Sequence, residues 1–277
     1  MLDDTRQLHR AVPLTKLPQL VAGDRVECDQ HEGSTLRVVG LQERDGVLWK
    51  KDHRGKDKPL AANVSHLAVI SACKPGIDSL LIDQFCIAAE LAGIGAIVVI
   101  NKADLLDEQQ YEDCISMLAV YKKIGYPALL IDTKTDGKMD TLEAELSGKT
   151  AALVGASGVG KSSIVQRLLP DLDVRVGAIS AATGFGAHTT SVTFWYELDG
   201  GGSIIDSPGV RQYSVAHLSV EDVRYGYREL ASAAQACKFS NCSHVVEPGC
   251  AVQTALADGA MARWRYNNYR KLTELFD

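Results

Sequence analysis

The sequence predicts an α/β protein with a small β-rich module in front of a parallel-sheet domain and a helical segment behind it. Three observations lead there. Short apolar runs alternate with helical stretches between about residues 66 and 170. A glycine-rich loop directly follows one of those runs. Three cysteines and a histidine crowd into the C-terminal part of the chain. The 277 residues suffice for about two domains. With 46% hydrophobic and 23% charged residues the composition is that of an ordinary globular protein.

From residue 1 to about 65 the pattern is one of short strands and turns. Gly23–Cys28 and Thr35–Val39 read as strands, and the Asp45-Gly46 turn signal precedes a third, Val47–Trp49. This spacing suits a small β-barrel; its length fits an OB-like barrel, although spacing does not separate that from an SH3-like one. After about residue 66 the reading changes to βα units. Leu67–Ile70, Ala96–Ile100, Pro127–Ile131 and Thr150–Val154 are the strands. Helices are expected at Asp78–Leu91, Asp107–Lys123, Met139–Leu146 and Ile164–Leu169. Such alternation implies a parallel sheet, with the chemistry at the carboxyl ends of its strands. Residues 171–190 read as a loop rich in small residues, Thr193–Leu198 and Ser203–Ile205 as two strands, Ser219–Ala234 as a helix and Ala251 to about Leu275 as another.

Two loops follow strands directly. Gly155-Ala156-Ser157-Gly158-Val159-Gly160-Lys161-Ser162 fits a phosphate loop. Glycines let the backbone wrap anionic oxygens, a helix N-terminus stands behind them, Lys161 reaches the β- and γ-phosphates and Ser162 holds Mg²⁺. Asn101-Lys102-Ala103-Asp104 fits a guanine reader. The Asp104 carboxylate accepts from N1–H and the 2-amino group, a donor pair that adenine lacks. A third stretch, Asp206-Ser207-Pro208-Gly209, would meet Mg²⁺ through Asp206 and the γ-phosphate through the Gly209 N–H. The base reader precedes the phosphate loop, so the motifs run in a circularly permuted order. His188-Thr189-Thr190 is the candidate first switch, with Thr190 or Thr189 completing the Mg²⁺ shell. Val210 stands where a water-orienting glutamine is often found, which predicts slow basal hydrolysis; His188 is the candidate substitute, against the plainer reading of a solvated loop histidine.

Cys237-X4-Cys242-X-His244-X5-Cys250 offers three thiolates and one imidazole, the donor set of a closed structural Zn²⁺ site. Cys28, Cys73, Cys86 and Cys114 are expected to be buried as small hydrophobes. The net charge of −6 gives no global support for nucleic-acid binding. A local basic run, Lys50–Lys58, is either an RNA contact or a solvated loop, and Trp49 and Phe239 are either stacking platforms or core. No apolar run reaches the roughly 18 residues of a membrane span and the start carries no secretory pattern, so a cytoplasmic chain is expected.

The permuted order, Gly155–Ser163, His188–Thr190 and the Cys237–Cys250 stretch resemble the ribosome small-subunit-dependent GTPase A family (RsgA, also called YjeQ). Ala62-Asn63-Val64 also looks like that family's join between domains. The resemblance implies an OB-fold at 1–65, a circularly permuted P-loop GTPase domain at 66–215 and a helical zinc-binding domain at 216–277. It implies GTP/GDP with Mg²⁺, one structural Zn²⁺, and a monomer that binds the small ribosomal subunit and its rRNA, with hydrolysis stimulated by that subunit. The N-terminal barrel is shorter than the family suggests. Asp132-Thr133-Lys134-Thr135 departs from the Ser-Ala expected beside the base loop, so only its backbone is expected to serve there. Two other readings remain: a GTPase regulating a protein partner, and an RNA-binding module with weak GTPase activity.

Overall fold

The computed structural model describes residues 1–5, 7, 9–31, 33–51, 54–135, 137–170, 194–206 and 218–276. They divide into two compact units that interleave along the chain, the first drawn from 1–65, 146–153 and 162–213, the second from 66–145, 154–161 and 214–277.

In the first unit β1 (Ala11–Pro13) pairs parallel with β3 (Leu36–Leu41), which pairs antiparallel with β2 (Val26–Gln30). β4 (Leu48–Lys51) and β5 (Asp57–Ala61) form a separate antiparallel pair. Among the described residues these strands make a three-stranded and a two-stranded sheet, not one closed barrel. The basic run that could have been a plain loop is therefore largely a hairpin. Its second strand hid behind its charges and Pro59, which a two-stranded edge tolerates because no inner ladder needs the missing N–H. Asn63 holds the bend that follows. At φ 54 it sits in the left-handed region, its Nδ2 donating to Gly23 O at 2.7 Å and its Oδ1 accepting from Asp45 N at 2.9 Å. A Cβ on Gly23 would lie 2.0 Å from Ala62 O, so only glycine permits this approach. The same unit carries β9 (Thr150–Val154), β10 (Phe194–Glu197) and β11 (Ser203–Asp206). β11 runs parallel to β9 and antiparallel to β10, which puts Asp206 at the carboxyl end of its strand.

The second unit is built on β6 (His66–Ala72), β7 (Gly95–Asn101) and β8 (Ala128–Leu130), all parallel. β6 and β7 are buried along all but their first residues, as expected of strands covered on both faces. The helices are α1 (Ser79–Leu91), α2 (Glu108–Lys123) and α3 (Asp140–Leu146). Asp78 and Asp107 cap the first two by accepting from Leu81 N and Gln110 N. The glycine-rich loop 155–160 also belongs to this unit; α4 (Lys161–Leu168), which follows it, belongs from Ser162 onward to the first.

The C-terminal helices correct the sequence reading. The expected helix over 219–234 is two, α5 (Val220–Gly226) and α6 (Arg228–Ala234). Tyr227 between them has extended ψ 97, which turns its ring into the core. The expected helix from Ala251 to about Leu275 is also two, α7 (Ala251–Ala257) and α8 (Arg263–Phe276), parted after Asp258 where Gly259 adopts φ 71. α5 and α8 pack on α1 around a buried polar cluster. Asp83, 1% exposed, accepts from Tyr121 Oη at 2.7 Å, Tyr227 Oη at 2.8 Å, Asn268 Nδ2 at 2.8 Å and the Arg265 guanidinium. Arg265, 2% exposed, also forks onto Glu229 at 2.7 and 2.9 Å. Of the four cysteines expected to be buried, Cys86 and Cys114 are, whereas Cys28 and Cys73 are only half-buried.

Candidate nucleotide site and metal cluster

Asn101 is the last residue of β7, paired in register with Ala72 of β6. It is 1% exposed, and its Nδ2 donates to Val159 O at 3.0 Å. Lys102 adopts φ 67, a costly conformation for a residue with a Cβ. Two contacts offset that cost: its Nζ donates to Gly158 O at 2.6 Å and to Lys74 O at 2.9 Å. The Cys73 thiol adds a hydrogen bond to Lys102 O at 2.9 Å. The short turn Ala103–Leu105 comes next, anchored by Ala103 N donating to Ile131 O at 3.0 Å. Asn101, Lys102, Ala103 and Asp104 are thereby tied to the loop Gly155–Gly160, although more than fifty residues separate them in the chain.

The glycine-rich loop requires two of its glycines for different reasons. A Cβ on Gly155 (φ 137) would lie 2.0 Å from Ile70 O, and one on Gly160 (φ 96) would lie 2.4 Å from Asn101 Nδ2. The first lets the loop leave its strand; the second lets the two loops touch. Ala156 is half-buried, Ser157 and Gly158 are exposed, and Val159 is buried at 2% as the loop's apolar anchor. Lys161 opens α4 and folds back over the loop, its Nζ donating to Gly155 O at 2.8 Å and Ala156 O at 2.6 Å. An ammonium so placed stands over a backbone that can wrap phosphate oxygens. Ser162 and Ser163 follow on the exposed face of α4. Asp206 ends β11. His188, Thr189, Thr190, Gly209 and Val210 lie outside the described residues.

One contact was not legible from the motifs. Lys134 Nζ lies 2.6 Å from Asp104 Oδ2, so a side chain of the Asp132–Thr135 stretch does reach the base loop, contrary to expectation. Its signal in the sequence was only a lysine after a strand.

The four cluster residues meet. The Sγ atoms of Cys237, Cys242 and Cys250 and the ring of His244 place their ligand atoms within 4.8 Å of one another. His244 Nδ1 is 3.6 Å from both Cys237 Sγ and Cys250 Sγ, and those two sulfurs are 4.0 Å apart. Tetrahedral bonds of about 2.3 Å to sulfur and 2.0–2.1 Å to nitrogen imply ligand–ligand edges of roughly 3.5–3.8 Å, so the donor set fits one Zn²⁺. The turn is held from outside. His244 (φ 64) has its carbonyl bonded by Gln253 Nε2 at 2.6 Å and Tyr266 Oη at 2.8 Å. Glu247 accepts the N–H groups of Ser243, Val245 and Val246. Hydrogen bonds from Ser243, its side chain first and its N–H second, pull the carboxyl well below the usual range. Phe239 is 40% and Trp49 44% exposed, so neither is core.

The α/β fold and these loops define the class: a P-loop GTPase whose base-reading motif precedes its phosphate loop. Residues 41–216 match the model of the RsgA GTPase family. The "Small ribosomal subunit biogenesis GTPase RsgA" of Pseudomonas fluorescens Pf-5 is 40% identical over 266 residues, covering 96% of this chain and 78% of the relative. Its Haemophilus influenzae PittEE namesake is 36% identical over 272 residues, covering 97% and 79%. Among solved structures, YjeQ from Thermotoga maritima superposes with a TM-score of 0.80 at 27% identity, covering 98% of this chain and 91% of that one. YloQ, described as a circularly permuted GTPase, superposes at 0.76 with 24% identity, covering 98% and 87%. The chain belongs to the RsgA GTPase family.

Proposed function

We propose that this chain hydrolyses GTP as a biogenesis factor of the small ribosomal subunit, which stimulates the hydrolysis. The observation that carries the geometric half is the Asn101–Val159 and Lys102–Gly158 bonding, which holds a guanine-reading loop against a phosphate loop. The names of relatives at about 40% identity support the ribosomal half. Asp104 reads guanine, Asn101 and Lys102 brace and flank the base, and the amides of Gly155–Ser163 with Lys161 hold the phosphates. Ser162 and Asp206 serve Mg²⁺. Gly209, Thr190 and His188 retain their sequence-based roles as γ-phosphate sensor, Mg²⁺ ligand and water-positioning group. Cys237, Cys242, His244 and Cys250 hold a structural Zn²⁺.

Residues 1–65 form an OB-like RNA-binding module, 66–215 the permuted GTPase domain and 216–277 the zinc domain. The β4–β5 hairpin supports rRNA contact. Exposed Lys50 and Lys58 are direct cross-strand partners beside exposed Trp49. Like charges so placed repel, and an anionic partner relieves the repulsion. The protein works as a cytoplasmic monomer; among the described residues no helix is long and apolar enough to cross a membrane.

GTP turnover titrated with mature small subunits tests this reading. Turnover is expected to rise steeply with added subunits. Ser162→Ala is expected to lose about a hundred-fold or more of the Mg²⁺-dependent rate, with thermal stability nearly unchanged because Ser162 is exposed. A flat titration contradicts the ribosomal role, and an unimpaired Ser162→Ala enzyme contradicts the Mg²⁺ assignment.

A further inference from the structure

The carboxylate assigned to guanine already has a cation on it. The Asp104 side chain is 19% exposed and is fixed by the Ala103–Leu105 turn, where Leu105 N donates to Lys102 O at 3.0 Å. Lys134 Nζ sits 2.6 Å from its Oδ2. The two ends of Lys134 differ. Its backbone is pinned, because buried Asp132 accepts from Lys134 N at 3.1 Å and Thr135 N at 2.6 Å through one oxygen. Its side chain is 70% exposed. The attachment point is fixed while the ammonium is free to leave for water. The bond to Asp104 raises the Lys134 pKa, so the lysine stays charged at any working pH.

We propose that Lys134 is a displaceable counterion of the guanine-reading carboxylate: it holds Asp104 oriented between binding events, and the N1–H and 2-amino donors of guanine must displace it. The inference rests on the reading of Asp104 given above. An ammonium and a guanine edge compete for one carboxylate, and that competition lowers apparent affinity in proportion to the occupancy of the ion pair. An ion pair this exposed is weak, which suits a partner that must be dislodged at every turnover.

Calorimetric titration of GDP with Mg²⁺ tests the idea. Lys134→Met keeps most of the aliphatic stem and removes the charge; it is expected to bind GDP about two- to five-fold more tightly. Lys134→Arg is expected to match the wild type. The gain should shrink in 0.5 M salt, where an exposed pair is screened. In an Asp104→Asn background the base edge is bonded by a neutral amide, so xanthosine diphosphate is the ligand, and adding Lys134→Met should leave its affinity unchanged. Weaker GDP binding by Lys134→Met makes the lysine a nucleotide ligand and overturns the proposal. Unchanged GDP binding, or an equal gain with xanthosine diphosphate in the Asp104→Asn background, overturns it as well. Failure of the wild type to bind GDP at all is a different result, and sinks the guanine reading itself.

Discussion

Arg265→Ala is expected to destabilise the protein by about 3–5 kcal/mol in equilibrium unfolding. The guanidinium is 2% exposed and its partner Asp83 1%. Truncation leaves the Asp83 carboxylate buried with Tyr121, Tyr227 and Asn268 as donors but no counter-charge, and leaves Glu229 without its fork. Burial alone pushes Asp83 upward from the ordinary carboxylate range, and Arg265 is the foremost opposing influence. The penalty comes from the stranded charge more than from the lost attraction. Asp83→Leu combined with Arg265→Met should therefore recover much of the loss. A loss below about 1 kcal/mol for Arg265→Ala would show that water reaches the cluster. The consequences go beyond stability, because Asp83 stands on α1 and its partners stand on α2, on α8 and between α5 and α6. One carboxylate ties the C-terminal helices to the helix that follows β6.

Metal removal is expected to have the other large effect. Structural Zn²⁺ contributes apparent binding energies on the order of 10 kcal/mol or more, and that energy is folding energy. Apart from the metal, the turn from Cys242 to Cys250 is held by hydrogen bonds to the His244 carbonyl and the Glu247 carboxylate rather than by apolar packing of its own. Val246 is 85% exposed, His244 occupies a strained left-handed conformation, and the apolar contacts lie on the far side, at Tyr266 and Tyr269. Purified protein should contain one zinc per chain by elemental analysis. Chelation or Cys242→Ser should expose the 237–262 stretch to limited proteolysis while the parallel-strand core stays protected. A metal-free protein with the same protease resistance contradicts the assignment.

Much of the candidate site was legible because it is written in contiguous motifs. Asn101–Asp104 and Gly155–Ser162 each follow a run of buried apolar residues, and the alternation of those runs with helices announced the parallel sheet. Cysteine spacing announced the metal cluster. What the sequence hid was long-range chemistry. Nothing near Asp83 marks it as an anchor for residues 144 to 185 positions away. Tyr227 looked like one more residue of a single helix over 219–234; the break there accompanies delivery of its hydroxyl to a buried carboxylate. The β5 strand was masked by lysines and a proline that an edge pair accepts. Lys134 was illegible for a related reason: a side chain crossing between two loops leaves no periodicity.

The most direct test of the central claim, that the Asn101–Asp104 loop and the Gly155–Lys161 loop grip the two ends of one guanine nucleotide, is calorimetric comparison of GDP and ADP on the wild type and on Asp104→Asn. The wild type is expected to prefer GDP roughly 10³-fold or more, because adenine leaves the carboxylate unpaired. Asp104→Asn is expected to lose GDP affinity and to gain xanthosine diphosphate. ADP bound as tightly as GDP, or GDP bound equally well after the substitution, would contradict the claim.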